Sequence, residues 1–184
     1  KSGSGDAQMS SLFQSNLEGS DLSNFPLEVA YGSKLTLKNM AYGGGLLHSH
    51  IQTYPEGSHD HQVTCYHHKD ENNHFIISPT YEDPPLPAAD ENIDEPPRML
   101  KSGDVLRLVH QQLQTNLRSE AIPAPITKEA HEVGCRASEK GADSSEYWIV
   151  EVLRDVHLGP GRPGMPIRTL SSTLRLRHKE LGCY

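Results

Sequence analysis

The sequence predicts an all-β fold and, within that class, a β-trefoil. Three observations carry the prediction. A long unit recurs along the chain. Inside each copy, apolar and polar residues alternate with the period of a strand. Turn residues separate four short strands per copy. Three such units closing around a pseudo-threefold axis make a trefoil.

The first copy contains GSKLTLKNMAYGGGLLHSHIQTYPEGSHDHQVTCY, from Gly32 to Tyr66. The second contains GDVLRLVHQQLQTNLRSEAIPAPITKEAHEVGCRA, from Gly103 to Ala137. Each opens on glycine and an alternating strand, Leu35-x-Leu37 and Leu106-x-Leu108. A short leucine strand follows, Leu47-His48-Ser49-His50 in one and Leu117-Arg118-Ser119-Glu120 in the other. After a proline-containing loop comes a polar-Val-x-Cys strand, Gln62 to Cys65 and Glu132 to Cys135. An aromatic-aliphatic strand closes each unit, Phe75-Ile76-Ile77 and Trp148-Ile149-Val150. Phe75 and Trp148 are expected in the core. Asn72 and Asn73 read as turn formers. His110 and His178 end matching first strands, and that symmetric placement predicts a structural bond to a turn carbonyl. A third copy begins at Ser172 with STLRLRH, so the trefoil is expected to be truncated in its third unit, with some core and some strand edge exposed.

This pattern divides the chain into a lead-in over 1–28 and a trefoil over 29–184. Unit one spans 29–77, an acidic proline-rich loop 78–98, unit two 99–154, a linker 155–171, and partial unit three 172–184. A short helix is expected over 9–17, MSSLFQSNL, where Ser10 or Ser11 can cap and Leu12, Phe13 and Leu17 share a side. The loop SPTYEDPPLPAADENIDEPPR carries six prolines and six acids, which excludes regular structure.

Composition narrows the function. A net charge of −7 argues against nucleic acid, whose phosphates need a basic surface. No apolar run reaches the length of a membrane span, and KSGSGDAQMS lacks the features of a secretory leader, so the chain reads as cut from something longer. Cys65, Cys135 and Cys183 include no CxxC and imply no disulfide framework. Nothing calls for a cofactor.

The order and spacing of these motifs resemble a known family. GGGLLHSHIQTYPEGSHDHQVTCYHHKDENNHF closely resembles the first MIR motif of the protein O-mannosyltransferases, and RLVHQQLQTNLRSEAIPAPITKEAHEVGC resembles the second. KSGSGDAQMSSLFQSNLEG is similar to the segment leading into that domain, most of all in fungal members of the second subfamily. The resemblance implies a multi-spanning parent enzyme of the endoplasmic reticulum that transfers mannose from dolichyl-phosphate mannose to serine or threonine. It implies that this stretch is the lumenal MIR β-trefoil, which binds glycan or acceptor polypeptide. It also implies a partner transferase subunit, and a catalytic acidic pair in another loop absent here. One departure matters. The second unit of the family usually repeats Leu-His-Ser/Thr-His, whereas here it reads Leu117-Arg118-Ser119-Glu120.

Residues two apart on a strand share a face, so His48 and His50 lie together with Leu47 and Ser49 behind. Neutral imidazole both donates and accepts, as a sugar hydroxyl does. Gln62 adds an amide, and Tyr54 or Tyr66 an apolar platform with a polar tip. The expected ligand-binding residues are His48, His50, Gln62 and Tyr66, together with Leu47 and Ser49 of the same tetrapeptide; by the resemblance, Arg118, Ser119 and Glu132 mark the altered second-unit counterpart. A structural role in capping hairpins is the alternative. A zinc site among His59, His61, His67, His68 and His74 is a third reading, without a recognised ligand spacing.

Overall fold

The computed structural model describes residues 27–41, 43–88, 96–138 and 144–184. The helix expected over 9–17 and the middle of the acidic loop lie outside them. The strands are β1 (Lys34–Leu35), β2 (Leu46–Thr53), β3 (His61–Tyr66), β4 (Phe75–Ser78), β5 (Val105–His110), β6 (Thr115–Pro123), β7 (His131–Arg136), β8 (Trp148–Asp155), β9 (Gly159–Pro160) and β10 (Ser172–His178). Single 3-10 turns, Glu71–Asn73 and Ser144–Glu146, precede β4 and β8.

The repeat read in the sequence is a repeat in register. Hairpin β2–β3 pairs Leu47 with Cys65, Ser49 with Val63 and Thr53 with His61. Hairpin β6–β7 pairs Leu117 with Cys135, Ser119 with Val133 and Pro123 with His131. Both slip at the same place, between the serine and the end of the strand. Register is set wherever one face is buried, because a one-residue slip would turn every side chain over. The two hairpins then join through β3 and β7, where His61 pairs with Cys135 and Gln62 with Gly134.

The other strands form the wall around the core. Its order is β1–β4–β5–β8–β10, antiparallel throughout. At its base three segments close a ring of backbone bonds. The Val29 amide donates to Ile167 O (2.8 Å), the Leu100 amide to Val29 O (2.8 Å) and the Ile167 amide to Leu100 O (3.3 Å). The three bridging segments lead into β1, β5 and β10, which is the pseudo-threefold expected of a trefoil. Residues 155–171, read as an irregular connection, bring Met165 and Ile167 to this point with 2% and 3% exposure. Around these two residues the backbone makes only single bridges, at Pro166 and Arg168, so it has no alternating run for a sequence pattern to register.

Symmetry also organises the core. His110 sits edge-on to Phe75, and His178 edge-on to Trp148. In each, Nδ1 accepts a backbone amide, Leu113 or Leu181 (3.1 Å each). That leaves Nε2 to carry the proton and donate to a turn carbonyl, Asn72 O at 3.0 Å or Ser145 O at 2.9 Å. The matching carbonyls of Leu47 and Leu117 are satisfied by different donors. Asn73 Nδ2 serves the first (3.3 Å), and Trp148 Nε1 serves the second (2.9 Å). A phenylalanine suffices in unit one because an asparagine beside it brings the donor.

The wall is open between β1 and β10, which have no pairing with each other among the described residues. The leucines record the opening. Leu106 and Leu108 of β5 are 1% and 0% exposed. Their counterparts Leu35 and Leu37, and Leu174 and Leu176, are only partly buried.

Candidate ligand-binding face

The first hairpin places His48, His50, Thr64, Tyr66 and Gln62 on one face. His48 stands opposite Thr64 across the β2–β3 ladder. Its ring packs against Tyr66 (centroids 4.6 Å) and against the edge of His50 (5.4 Å). Tyr66 in turn meets His68 at 5.3 Å. His48 Nδ1 lies 3.5 Å from Thr64 Oγ1, and Nε2 lies 3.5 Å from Asp70 Oδ2. Asp70 has a second task. Its Oδ1 accepts the Asn72 amide (2.8 Å) and its own amide donates to Asn73 Oδ1 (2.7 Å), a capping box that fixes the 3-10 turn. The turn that feeds β4 thereby aims a carboxylate at the ligand face. Asp70 and Thr64 were not among the expected site residues, and His68 was named only in the zinc reading. The Asp-x-x-Asn spacing of the capping box was a signal for the first.

Burial lowers the pKa of His48, His50 lowers it further, and Asp70 opposes both. At neutral pH His48 is a neutral imidazole with one donor and one acceptor nitrogen. Tyr66 is 39% exposed. The face thus offers an accessible ring beside mixed donors and acceptors, the requirement of a polyhydroxylated ligand.

The remaining expected residues stand elsewhere. Ser49 is fully buried, and Leu47 packs against the core, so both support the strand from behind. Gln62 faces the ligand side, but its amide donates to Thr53 O at 2.8 Å. Tyr54 is no platform. Its hydroxyl donates to Val133 O (3.1 Å), which ties the first hairpin to the second.

Arg118, Ser119 and Glu132, expected as the altered second-unit counterpart, lie together in a buried charged cluster. Arg118 is 1% exposed; its Nε donates to Ser145 Oγ at 3.1 Å and its Nη2 pairs with Glu120. Its Nη1 lies 3.7 Å from Asp60 of unit one. Ser119 Oγ donates to Glu132 O (2.8 Å), and the Glu132 carboxylate accepts from both Ser58 N (3.1 Å) and Ser58 Oγ. Burial raises the Asp60 pKa, and Arg118 opposes the rise. Among the described residues no three His, Cys, Asp or Glu side chains gather as a metal site. Cys65, Cys135 and Cys183 are free thiols, and burial pushes that of Cys135 up to about 12.

Comparison with known proteins agrees with the fold. The family described as "MIR domain" matches residues 45–184. Dolichyl-phosphate-mannose–protein mannosyltransferase 2 of Candida albicans is 41% identical over the whole chain, which covers 23% of that protein. Dolichyl-phosphate-mannose–protein mannosyltransferase 3 of Saccharomyces cerevisiae is 38% identical over the whole chain, covering 24% of it. The chain therefore spans about a quarter of the length of these relatives. Among solved structures, the S. cerevisiae protein O-mannosyltransferase Pmt1–Pmt2 complex bound to the sugar donor is 29% identical with a TM-score of 0.71, covering 94% of this chain and 23% of that one. An SDF2-like protein from Arabidopsis thaliana is 25% identical with a TM-score of 0.65, covering 85% of this chain and 76% of that one.

Proposed function

The chain belongs to the MIR domain family, and from that membership we propose that it is the non-catalytic, lumenal MIR domain of an endoplasmic-reticulum protein O-mannosyltransferase. Its parent transfers mannose from dolichyl-phosphate mannose to serine or threonine of secretory proteins. The domain holds glycan or mannosylated acceptor polypeptide near that reaction. The relatives named above, which align over the full length of this chain, support the parentage. The observation that carries the binding role is the His48–Tyr66 stack, in which the exposed Tyr66 ring covers a buried, neutral His48 held between Thr64 and Asp70. No helix of the described residues is long and apolar enough to cross a membrane.

The test is an amide NMR titration of the isotope-labelled chain with mannose and with an O-mannosylated peptide. Saturable shifts on residues 47–68, lost in His48→Ala with the fold retained, are expected. Silence at millimolar ligand in a folded sample refutes the role. A second reading, assembly against a partner transferase subunit, draws on the open wall between β1 and β10 with its half-buried leucines. It predicts no sugar-dependent shifts and a partner footprint on those two strands.

A further inference from the structure

The two hairpins share a backbone but differ at each position that faces a ligand. His48, Gln62, Thr64 and Tyr66 of the first become Arg118, Glu132, Gly134 and Arg136 in the second. Each change accommodates one turn of unit one, residues 57–60, which enters the second pocket where β3 meets β7.

Two glycines make the entry possible. A Cβ on Gly134 would stand 2.6 Å from the Asp60 Cβ, so the threonine found at this place in unit one would expel the turn. A Cβ on Gly57 would stand 2.5 Å from Glu132 Oε2, and Gly57 adopts φ +81°, which side chains resist. Once inside, the turn presents two groups. Ser58 gives its amide and hydroxyl to Glu132, and its Oγ accepts the Asp60 amide at 3.0 Å. Asp60 sets its carboxylate between Arg118 (3.7 Å) and Arg136 (3.6 Å). Both Asp60 and Glu132 are 4% exposed. Between Ser58, Asp60, Arg118, Glu132 and Gly134 no room remains for a water molecule. This is a carboxylate-and-cation pocket filled by a hydroxyl and an acid from another unit.

We infer that the second-unit pocket is a site for a short peptide turn carrying a hydroxyl side chain and, two residues later, a carboxylate, and that Ser58-His59-Asp60 is its occupant in cis. The inference is independent of sugar binding at His48. A tethered occupant acts at millimolar effective concentration, so an outside peptide of the same pattern competes poorly until the turn is disabled.

The experiment titrates the labelled 184-residue chain with the peptide acetyl-Gly-Ser-His-Asp-Gly-amide and reads amide shifts at Ser119, Glu132 and Gly134. In Ser58→Ala/Asp60→Ala the peptide is expected to saturate, roughly tenfold tighter than in the unaltered chain. Peptides with Ala for Ser or Asn for Asp are expected to leave those amides unmoved. Equal binding by the unaltered chain, equal binding of the control peptides, or no saturable shift in the folded double variant overturns the inference. Should the double variant fail to fold, the nearly isosteric Asp60→Asn decides. Its Ser58 amide is expected to exchange with solvent about tenfold faster as the turn leaves; unchanged protection overturns the inference.

Discussion

Shortening one leucine at a time in symmetry-related positions tests the open wall directly. Leu37, Leu108 and Leu176 occupy the same place in units one, two and three, yet only Leu108 is enclosed, at 0% exposure. Leu108→Ala removes the equivalent of three buried carbons, about 2.4 kcal/mol at ~0.8 per carbon. The cavity left in a close-packed core adds to this, for a total of about 3–4 kcal/mol. At roughly 2–4 °C per kcal/mol for a chain of this size, the melting temperature falls by about 6–16 °C. Leu37→Ala and Leu176→Ala start from partly hydrated side chains and leave no closed cavity, so each costs about 1–2 kcal/mol. Urea and thermal unfolding followed by fluorescence of Trp148, the one tryptophan, measures all three. Equal losses at the three positions would mean that β1 and β10 are covered in solution, and would refute the open wall.

Trp148→Phe copies the residue of unit one without its asparagine donor. It leaves the buried Leu117 carbonyl unpaired and is expected to cost about 1–3 kcal/mol by the same unfolding assay. Asp155 is buried, and its bonds from Arg168, Ser172 and the His157 amide hold its carboxyl well below the usual range. Its contribution is therefore complete above about pH 4 and lost as pH falls below that value. Asp155→Asn should flatten this acid limb in a pH series of melting temperatures. His48 adds a second acid-side loss at higher pH, since burial lowers its pKa as well. The unfolded chain takes up that proton first, so stability declines as pH falls below about 6.5. His48→Gln should remove the decline, read from chemical unfolding between neutral and mildly acid pH.

Much of the trefoil was legible because repetition makes local signals reinforce one another. The strand period placed β2, β3, β5, β6 and β7, and the shared Leu-x-Ser and Val-x-Cys patterns fixed a common register. Matching positions for His110 and His178 already implied matching carbonyl bonds. The ligand face was legible in part. Alternation along one strand puts His48 beside His50 whatever the rest of the chain does.

Roles that depend on one unit meeting another were not legible. Tyr54 reads as a platform in isolation, but the second hairpin supplies a carbonyl for its hydroxyl. Gln62 reads as a free amide until the strand end of Thr53 folds back to accept it. Arg118 and Glu132 read as an altered counterpart of the first-unit pocket, whereas in space they and Gly134 enclose Ser58 and Asp60 from unit one. Period and propensity act through neighbours along the chain, and by themselves they determined the strands, the repeat and the pairing of hairpins. Burial and charge act through neighbours in space. Which histidine stays neutral, which carboxylate meets an arginine and which pocket is already filled were decided only when the units closed around their common axis.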